Sequence, residues 1–214
     1  MAIINGTIFN DNNTVNGSPL IFRPALNGGA SSDILTGNAG DDILNGGGGS
    51  DILNGNAGSD VLNGNAGSDI LNGNAGSDVL NGNAGSDELN GGVGSDILTG
   101  GAGTDSLTGG LGNDVFDFNS VSDSPAGSSR DVITDFVGNG IFAGDQIDLS
   151  TIDANSTVGG NQTFSYIGTG AFSAPAQVRY SGGILQANTD GDLSAEFEIG
   201  LTGSPSLVAR DITL

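Results

Sequence analysis

A nine-residue alternation of glycine-rich and apolar positions dominates the first half of the chain. Between residues 55 and 90 it reads GNAGSDVLN, GNAGSDILN, GNAGSDVLN and GNAGSDELN, four units that differ only at their seventh position. In the same register the pattern runs without a slip from residue 28 to residue 117 and gives ten units. Position eight is Leu in nine units and Phe116 in the last. A fixed period this short is typical of a solenoid.

Each unit predicts one glycine-rich turn followed by one short strand. Position one is always Gly, position two is Gly or Asn, and position four is Gly except in the first unit, which has Ser31. Gly and Asn adopt left-handed backbone conformations at little steric cost, so they predict a tight turn. Positions seven to nine alternate as a short strand does, with position eight pointing inward. A turn and a strand make half a coil, so we expect each unit to stack on the next unit but one.

The sixth position of every unit is aspartate, and this stacking predicts two aspartate ladders. The first ladder contains Asp33, Asp51, Asp69, Asp87 and Asp105, and the second contains Asp42, Asp60, Asp78, Asp96 and Asp114. Carboxylates on neighbouring strands about 4.8 Å apart repel each other by roughly 3 kcal/mol per pair at an effective dielectric near 20. The chain has no Lys, and its four Arg lie outside the repeats. A bound cation therefore has to supply the compensating charge.

The available ligand chemistry indicates calcium. The chain has no His and no Cys, which disfavours zinc and copper. Carboxylate and turn carbonyl oxygens in a flexible arrangement suit Ca²⁺ better than Mg²⁺, which demands a tighter octahedron. We therefore predict multiple Ca²⁺ ions between the stacked turns, with the ladder aspartates of both series as ligands.

The units resemble the RTX nonapeptide, G-G-x-G-x-D-x-U-x, in which U is a large aliphatic residue. Over residues 28–117 this resemblance implies a right-handed parallel β-roll solenoid with Ca²⁺ in its turns, so the predicted fold class is all-β. One inward Leu per unit contributes about 2 kcal/mol of burial, whereas ordering nine residues costs roughly 1 kcal/mol or more for each. We therefore expect the repeats to be disordered without Ca²⁺ and to fold when it binds.

The segments on either side of the repeats are predicted to close the solenoid. Residues 1–27 are expected to cap the exposed edge of the first coil, and Asp11 in this segment is a further candidate ligand. Residues 118–214 contain phenylalanines and short alternating runs that are broken by Gly, Asn and Pro, which predicts a compact, mostly β cap. The residues on which this cap is expected to pack are Leu98, Leu107 and Phe116.

The C-terminal region carries a second resemblance. Motifs such as RDVITDF from Arg130 and DGDLSAEFEI from Asp190 resemble the C-terminal region of serralysin-type proteases and the closing modules of alginate epimerases. In those families the region is a secretion unit recognised by a type I exporter, with an acidic residue followed by apolar ones, a pattern that Asp211 begins here. The resemblance also implies that Asp123 and Asp131 complete a last calcium site. The alternative is that they are two solvated loop carboxylates.

Composition narrows the function classes. A formal charge of −21 argues against nucleic acid and against anionic membrane surfaces. The N-terminus has no Sec-type signal and no stretch is long enough to span a bilayer, so an export signal has to lie elsewhere. The resemblance of the C-terminal region implies type I secretion to the extracellular space. Without His or Cys there is no zinc protease site and no Ser-His-Asp or Cys-His nucleophile. Asp190, Glu196 and Glu198 are assigned to a strand and its turn, so we do not expect an enzyme.

Two functions remain in competition. The first is a secreted calcium-binding module with a structural or adhesive role. The second is a ligand-binding module whose flat repeat face recognises polysaccharide or ice. An unbroken aliphatic row at position seven can mark a binding surface. The explanation we favour is the β-propensity of branched residues or coverage of the row by the N-terminal segment. That row consists of Ile43, Val61, Val79, Ile97 and Val115.

Overall fold

The computed structural model describes residues 25–138 and 144–214, together with three short strands at residues 3–5, 14–15 and 18–19. Asp11 lies outside the described residues. Within them, the only helical element is one 3-10 turn, Ala209–Asp211, and no helix has the length and hydropathy to cross a membrane. The strands up to the end of the repeats are β1 (Ile3–Asn5), β2 (Thr14–Val15), β3 (Ser18–Pro19), β4 (Leu26–Gly29), β5 (Ile34–Ala39), β6 (Ile43–Gly48), β7 (Ile52–Ala57), β8 (Val61–Ala66), β9 (Ile70–Ala75), β10 (Val79–Gly85), β11 (Glu88–Val93), β12 (Ile97–Gly103), β13 (Ser106–Leu111) and β14 (Val115–Asp117). The later strands are β15 (Asp131–Ile133), β16 (Gln146–Asp148), β17 (Ser165–Tyr166), β18 (Gln177–Ser181), β19 (Ile184–Asn188), β20 (Phe197–Leu201) and β21 (Ile212–Thr213).

Strand pairing confirms the predicted coil of two units. In the pairing of β7 with β9, Ile52 lies beside Ile70, and in the pairing of β8 with β10, Val61 lies beside Val79. Strands of alternate units therefore stack in parallel, with β5, β7, β9, β11 and β13 in one sheet and β4, β6, β8, β10, β12 and β14 in the other. The predicted β-roll is confirmed.

The repeat strands are longer than the three residues predicted from the sequence. Strand β8, for example, continues from Val61 through Gly64 and Asn65 to Ala66, which leaves only positions four to six for the turn. The prediction was wrong here because it assigned the Gly and Asn at positions one and two to the turn. Asn65 does have a left-handed φ of 75°. Its side-chain Nδ2 donates to the carbonyl oxygen of Asn63 at 3.1 Å, and pairing with the neighbouring strand continues on both sides of it.

The position-eight side chains of both sheets fill the interior of the roll. The leucines from Leu35 to Leu107 and Phe116 are all fully buried. Asn side chains at position nine lie on the outer face of the second sheet and form a hydrogen-bonded row, in which each Nδ2 donates to the Oδ1 one coil earlier. The members of this row are Asn27, Asn45, Asn63 and Asn81.

Both sheets extend beyond the repeats. Strand β15 joins the first sheet next to β13 and is followed by β20, β19, β18 and β17, while β16 and then β21 continue the second sheet. Aromatic packing fills this end of the molecule. The Phe116 and Phe136 rings lie 6.2 Å apart, and the Phe118 and Phe197 rings meet edge to face at 5.4 Å. Leu98, Leu107 and Phe116 belong to the same buried cluster as these rings, as predicted.

At the opposite end of the roll, β1 pairs in parallel with β5, with Ile3 beside Ile34. This strand lies at the edge of the first sheet, where the sequence predicted a cap. The division of the chain at residues 27 and 117 into a cap, a roll and a second cap stays a prediction, because the two sheets run across the later of these boundaries without interruption.

Candidate calcium-binding turns

The ladder aspartates sit where each turn re-enters a strand, and they point into the molecule. Their exposed fraction is 4% or less. The Oδ1 atom of each rung accepts the backbone N–H of the aspartate one coil earlier, for example Asp69 from Asp51 at 2.7 Å and Asp78 from Asp60 at 2.8 Å. Asp33 and Asp42 begin the two series and donate to Asp51 and Asp60 in the same way. The structure thus brings together both predicted ladders.

In nine buried aspartates of these two series the second carboxylate oxygen, Oδ2, has no hydrogen-bond partner among the described residues. The buried Oδ2 atoms in this situation belong to Asp51, Asp60, Asp69, Asp78, Asp87, Asp96, Asp105, Asp114 and Asp131. A buried polar atom without a partner normally costs the free energy of its lost hydration. A row of them at regular spacing is therefore unstable as a purely protein structure, and its oxygen atoms are of the kind that a hard cation binds.

The position-one glycine explains why each carboxylate fits into its turn. A Cβ atom on Gly64 would lie against Asp69 Oδ2 and would be 2.9 Å from the carbonyl oxygen of Gly82 in the next coil. A side chain at this position would therefore fill the space into which the carboxylate and the neighbouring carbonyl point. The glycine that the sequence repeats at position one keeps that space open for oxygen atoms.

Comparison with known proteins agrees with this geometry. The family model of the RTX calcium-binding nonapeptide repeat (4 copies) matches residues 26–53, 46–80, 54–89, 63–98, 81–116 and 90–124. The repeat region belongs to the RTX family. Its RTX repeats bind multiple Ca²⁺ ions, as predicted, and the unpartnered Oδ2 row fits that role. The assignment of each individual ladder aspartate as a ligand stays a prediction.

A solved structure is also similar to the chain. It is the solution structure of the AlgE6R3 subunit from the Azotobacter vinelandii mannuronan C5-epimerase, with 26% sequence identity and a TM-score of 0.39. The match covers 94% of this chain and 84% of that one. A search of the curated proteins found no match.

The first RTX ladder ends at Asp131. Its Oδ1 accepts the backbone N–H of Asp105 at 2.7 Å, and its fully buried Oδ2 has no partner among the described residues. Asp123 approaches this end from a loop, in which it accepts the backbone N–H groups of Asn119 and Ser120. Burial is the largest cause of the raised pKa values of Asp105 and Asp131, and the negative charge of Asp123 adds to it in both cases. The structure therefore brings the two predicted residues close to one another at the end of the ladder.

The second ladder ends at a residue that the sequence analysis missed. Asp145 Oδ1 accepts the backbone N–H of Asp114 at 3.0 Å, and Asp145 Oδ2 accepts that of Val137 at 2.8 Å. Nearby, Asp135 accepts the backbone N–H groups of Gly109 and Gly110. One signal was available in the sequence: residues 140–148 read GIFAGDQID, which keeps Gly at position one and Asp and Ile at positions six and eight of the nonapeptide but lacks Gly at positions two and four.

Burial makes the metal-free ladders resist ionisation. It is the largest cause of raised pKa values along both series, and the charge of the preceding rung adds to it, while the backbone hydrogen bond opposes it. The pKa of Asp105 is raised to about 7 and that of Asp131 to about 8. For Asp78, Asp87 and Asp96 the pKa is raised to about 6. Ionised ladders at neutral pH therefore need a positive partner.

Proposed function

We propose that this protein is a secreted calcium-binding RTX module that folds when it meets Ca²⁺ outside the cell. The row of buried Oδ2 atoms without partners carries this proposal, because it gives the folded roll a specific requirement for hard cations. In a cytosol with little free Ca²⁺ the charged ladders oppose folding. Outside, where Ca²⁺ is abundant, binding energy becomes folding energy. The residues proposed to hold the ions are the ten ladder aspartates, with Asp123 and Asp131 at the end of the first series.

Circular dichroism in a chelator and then in millimolar Ca²⁺ tests this proposal. We expect little β signal in the chelator and a cooperative gain during the titration. Isothermal calorimetry on the same sample gives the number of ions, which is expected to follow the number of stacked turns. A complete β signal already present in the chelator would contradict folding on calcium binding.

Export through a type I apparatus is the second part of the proposal. The segment proposed as the signal, residues 211–214, has an acidic residue followed by apolar ones. In the folded chain Asp211 is fully buried and Ile212 pairs with Ile147 of β16. An exporter therefore has access to this segment only before the second sheet has closed, which agrees with export preceding calcium-driven folding.

Deleting residues 211–214 tests this route in a strain that carries a type I apparatus. We expect export to fall while the chain accumulates inside the cell. Because the deletion also removes β21, its calcium-induced β signal is measured separately, so that a loss of export is distinguished from degradation of a chain that cannot fold. Unchanged export would count against the secretion signal.

We further propose that the role of the module is structural or adhesive and involves no catalysis. The chain supplies no His or Cys for nucleophilic or metalloprotease chemistry. The ladders bring buried carboxylates close together, and their backbone hydrogen bonds and their burial suit cation binding. RTX repeats and the β-roll fold support a calcium-binding structural module.

The alternative of a ligand-binding face rests on the outer surface of the second sheet. Ile43 and Ile97 in its aliphatic row are 37% and 42% exposed, and the hydrogen-bonded Asn row runs beside them. A screen for glycan binding and for inhibition of ice recrystallisation, with and without Ca²⁺, separates the two roles. An Ile97→Glu variant should abolish any such activity, whereas Ser106→Glu on the first sheet should not. If the folded protein binds no glycan and does not inhibit ice recrystallisation, the structural role is favoured.

A further inference from the structure

Three acidic side chains converge outside the RTX repeats, in the loop between β19 and β20. Asp190, Asp192 and Glu196 each place one carboxylate oxygen within 4.8 Å of those of the other two. Hydrogen bonds hold the loop in this shape. Asp190 Oδ1 accepts the backbone N–H of Asp192 at 2.9 Å, and Asp192 Oδ1 accepts that of Ser194 at 2.8 Å. The carboxylates of Asp190, Asp192 and Glu196 thus converge at one point of the loop.

A buried amide on the neighbouring strand provides an independent observation. Asn188 is fully buried and its Oδ1 has no hydrogen-bond partner among the described residues. In the antiparallel pairing of β19 with β20, Gln186 lies opposite Glu198 and Ala187 opposite Phe197. The same register puts Asn188 opposite Glu196 and on the same face of the sheet.

The orientation of the Asn188 amide follows from its other atom. Asn188 Nδ2 donates to the carbonyl oxygen of Ser194 at 2.7 Å. Exchanging the two atoms would set Oδ1 against that carbonyl oxygen, so the hydrogen bond fixes the assignment. The amide therefore packs against the acidic loop, and the register places residue 188 beside Glu196.

We propose that Asp190, Asp192, Glu196 and Asn188 Oδ1 form a binding site for a hard divalent cation, with Ca²⁺ as the expected ion. All four contributions are oxygen atoms, and three of them carry charge, which is the ligand set that Ca²⁺ prefers. The site differs from the RTX turns because one loop and the strand beside it supply all its ligands. It needs no stacking of successive coils.

The surroundings favour a bound metal ion over a positively charged side chain as the partner of these carboxylates. The chain contains no Lys, and the guanidinium of Arg179 stacks over the Phe172 ring at 4.6 Å and donates to Gln186 Oε1 at 2.8 Å. Arg130 pairs with Glu198 at 3.4 Å.

Asp190→Asn/Asp192→Asn in the full chain tests the site. The readouts are the ion count by native mass spectrometry in saturating Ca²⁺ and the NMR signals of the Gly191 amide and the Asn188 side-chain amide during a titration with CaCl₂. We expect the variant to carry one ion fewer and its Gly191 signal to need at least about tenfold more Ca²⁺ to move. The matched control is Glu88→Gln, which removes an exposed charge from the roll.

A second variant distinguishes a cation site from a purely structural loop. Asn188→Asp adds a charged ligand, so with a cation present it should lower the Ca²⁺ midpoint of the Gly191 signal severalfold. Without a cation site it would add a fourth carboxylate to a crowded loop and destabilise the protein equally with and without Ca²⁺. That result would overturn the proposal, as would an unchanged ion count in the double variant or a Gly191 signal that does not respond to Ca²⁺ in the parent chain. Folding of the RTX repeats, followed by circular dichroism, is a separate readout.

Discussion

The roll and the region after it bury aspartates in two different ways. In the roll, Asp69 has one oxygen on a backbone N–H and another with no partner among the described residues. At the far end, Asp145 has a backbone N–H on each oxygen, and so does Asp135. Each coil of a translational repeat offers one N–H per carboxylate, whereas an irregular chain end can bend a loop to supply another. The end of the second ladder thus uses its own backbone where the regular coils offer no second N–H, whereas Asp131 at the end of the first ladder keeps an Oδ2 without a partner among the described residues.

The roll and the region after it also differ in the side chains that fill their hydrophobic cores. In the roll each strand contributes one leucine, whereas the later region packs whole rings, such as Phe118 against Phe197 at 5.4 Å. Aromatic side chains bury far more apolar area per residue. We therefore expect the RTX repeats to be the calcium-dependent part of the molecule, and the strands around the aromatic cluster to have a stability of their own.

Chelation is the strongest test of this difference. Hydrogen exchange of the full chain in a chelator should show complete loss of protection in β7 to β11, because repulsion between rungs then has no compensation. Strands β18 to β20, which pair in an antiparallel arrangement over the aromatic cluster, should keep measurable protection. Equal loss of protection in both regions would show that the later strands depend on calcium as much as the roll does.

The position-one glycine should give the next largest effect. Gly64→Ala sets a methyl group against Asp69 Oδ2 and 2.9 Å from the Gly82 carbonyl oxygen, and we expect a loss of about 1–3 kcal/mol in the free energy of unfolding in Ca²⁺. Gly159→Ala is the matched control, since a Cβ atom there meets nothing within 4 Å. Denaturant unfolding measures both variants. If Gly64→Ala leaves the free energy of unfolding unchanged, the space around residue 64 can hold a methyl group, contrary to the contacts in the structure.

A single ladder charge should act in opposite directions with and without calcium. Asp69→Asn keeps the shape of the side chain but removes a ligand charge, so we expect the Ca²⁺ midpoint of folding to rise by up to about tenfold. In a chelator the same variant should be more stable than the parent, because one repulsive carboxylate is gone. Glu88→Gln, on the exposed face of the same sheet, should leave the Ca²⁺ midpoint almost unchanged. A loss of stability under both conditions would indicate a role in packing alone.

The smallest and most gradual effect is that of pH. The folded-state pKa values of Asp105 and Asp131 are raised to about 7 and about 8 from 3.8, so folding without metal takes up protons. The free energy of unfolding in a chelator should therefore be highest below pH 4 and fall as the pH rises towards 8.

In Ca²⁺ the trend should reverse, because protons compete with the ion for the same carboxylates, and the Ca²⁺ midpoint should rise as the pH falls. Circular dichroism between pH 4 and pH 8 measures both arms. A chelator arm that gains stability with rising pH would contradict buried, electrostatically opposed ladders.

Much of the roll could be predicted because its contacts repeat at a constant separation. Once one unit is known to stack on the next but one, the partner of Asp51 is Asp69 and the inward position of Leu53 is that of every other Leu. The length of the strands was predicted wrongly, since left-handed Asn65 continues β8 instead of ending it. A propensity for positive φ therefore does not by itself distinguish a turn from a twisted strand.

The ends of the ladders were only partly predictable. Asp131 follows Asp105 by 26 residues and Asp145 follows Asp114 by 31, so no fixed period locates them. The first was suggested by a resemblance and the second was missed. The approach of Asn188 to Glu196 likewise depends on the register of an antiparallel pair that no sequence rhythm expresses.

The sequence by itself determined the coil of two units, the inward leucines, the two aspartate ladders and the need for a hard cation, because each of these follows from a local rule repeated at constant spacing. Only the tertiary structure decided that, from Asp51 to Asp114, one carboxylate oxygen accepts the backbone N–H of the previous rung while the other has no partner among the described residues, how the two ladders end, and which acidic residues meet outside the roll. Those outcomes depend on where distant segments come to rest against one another.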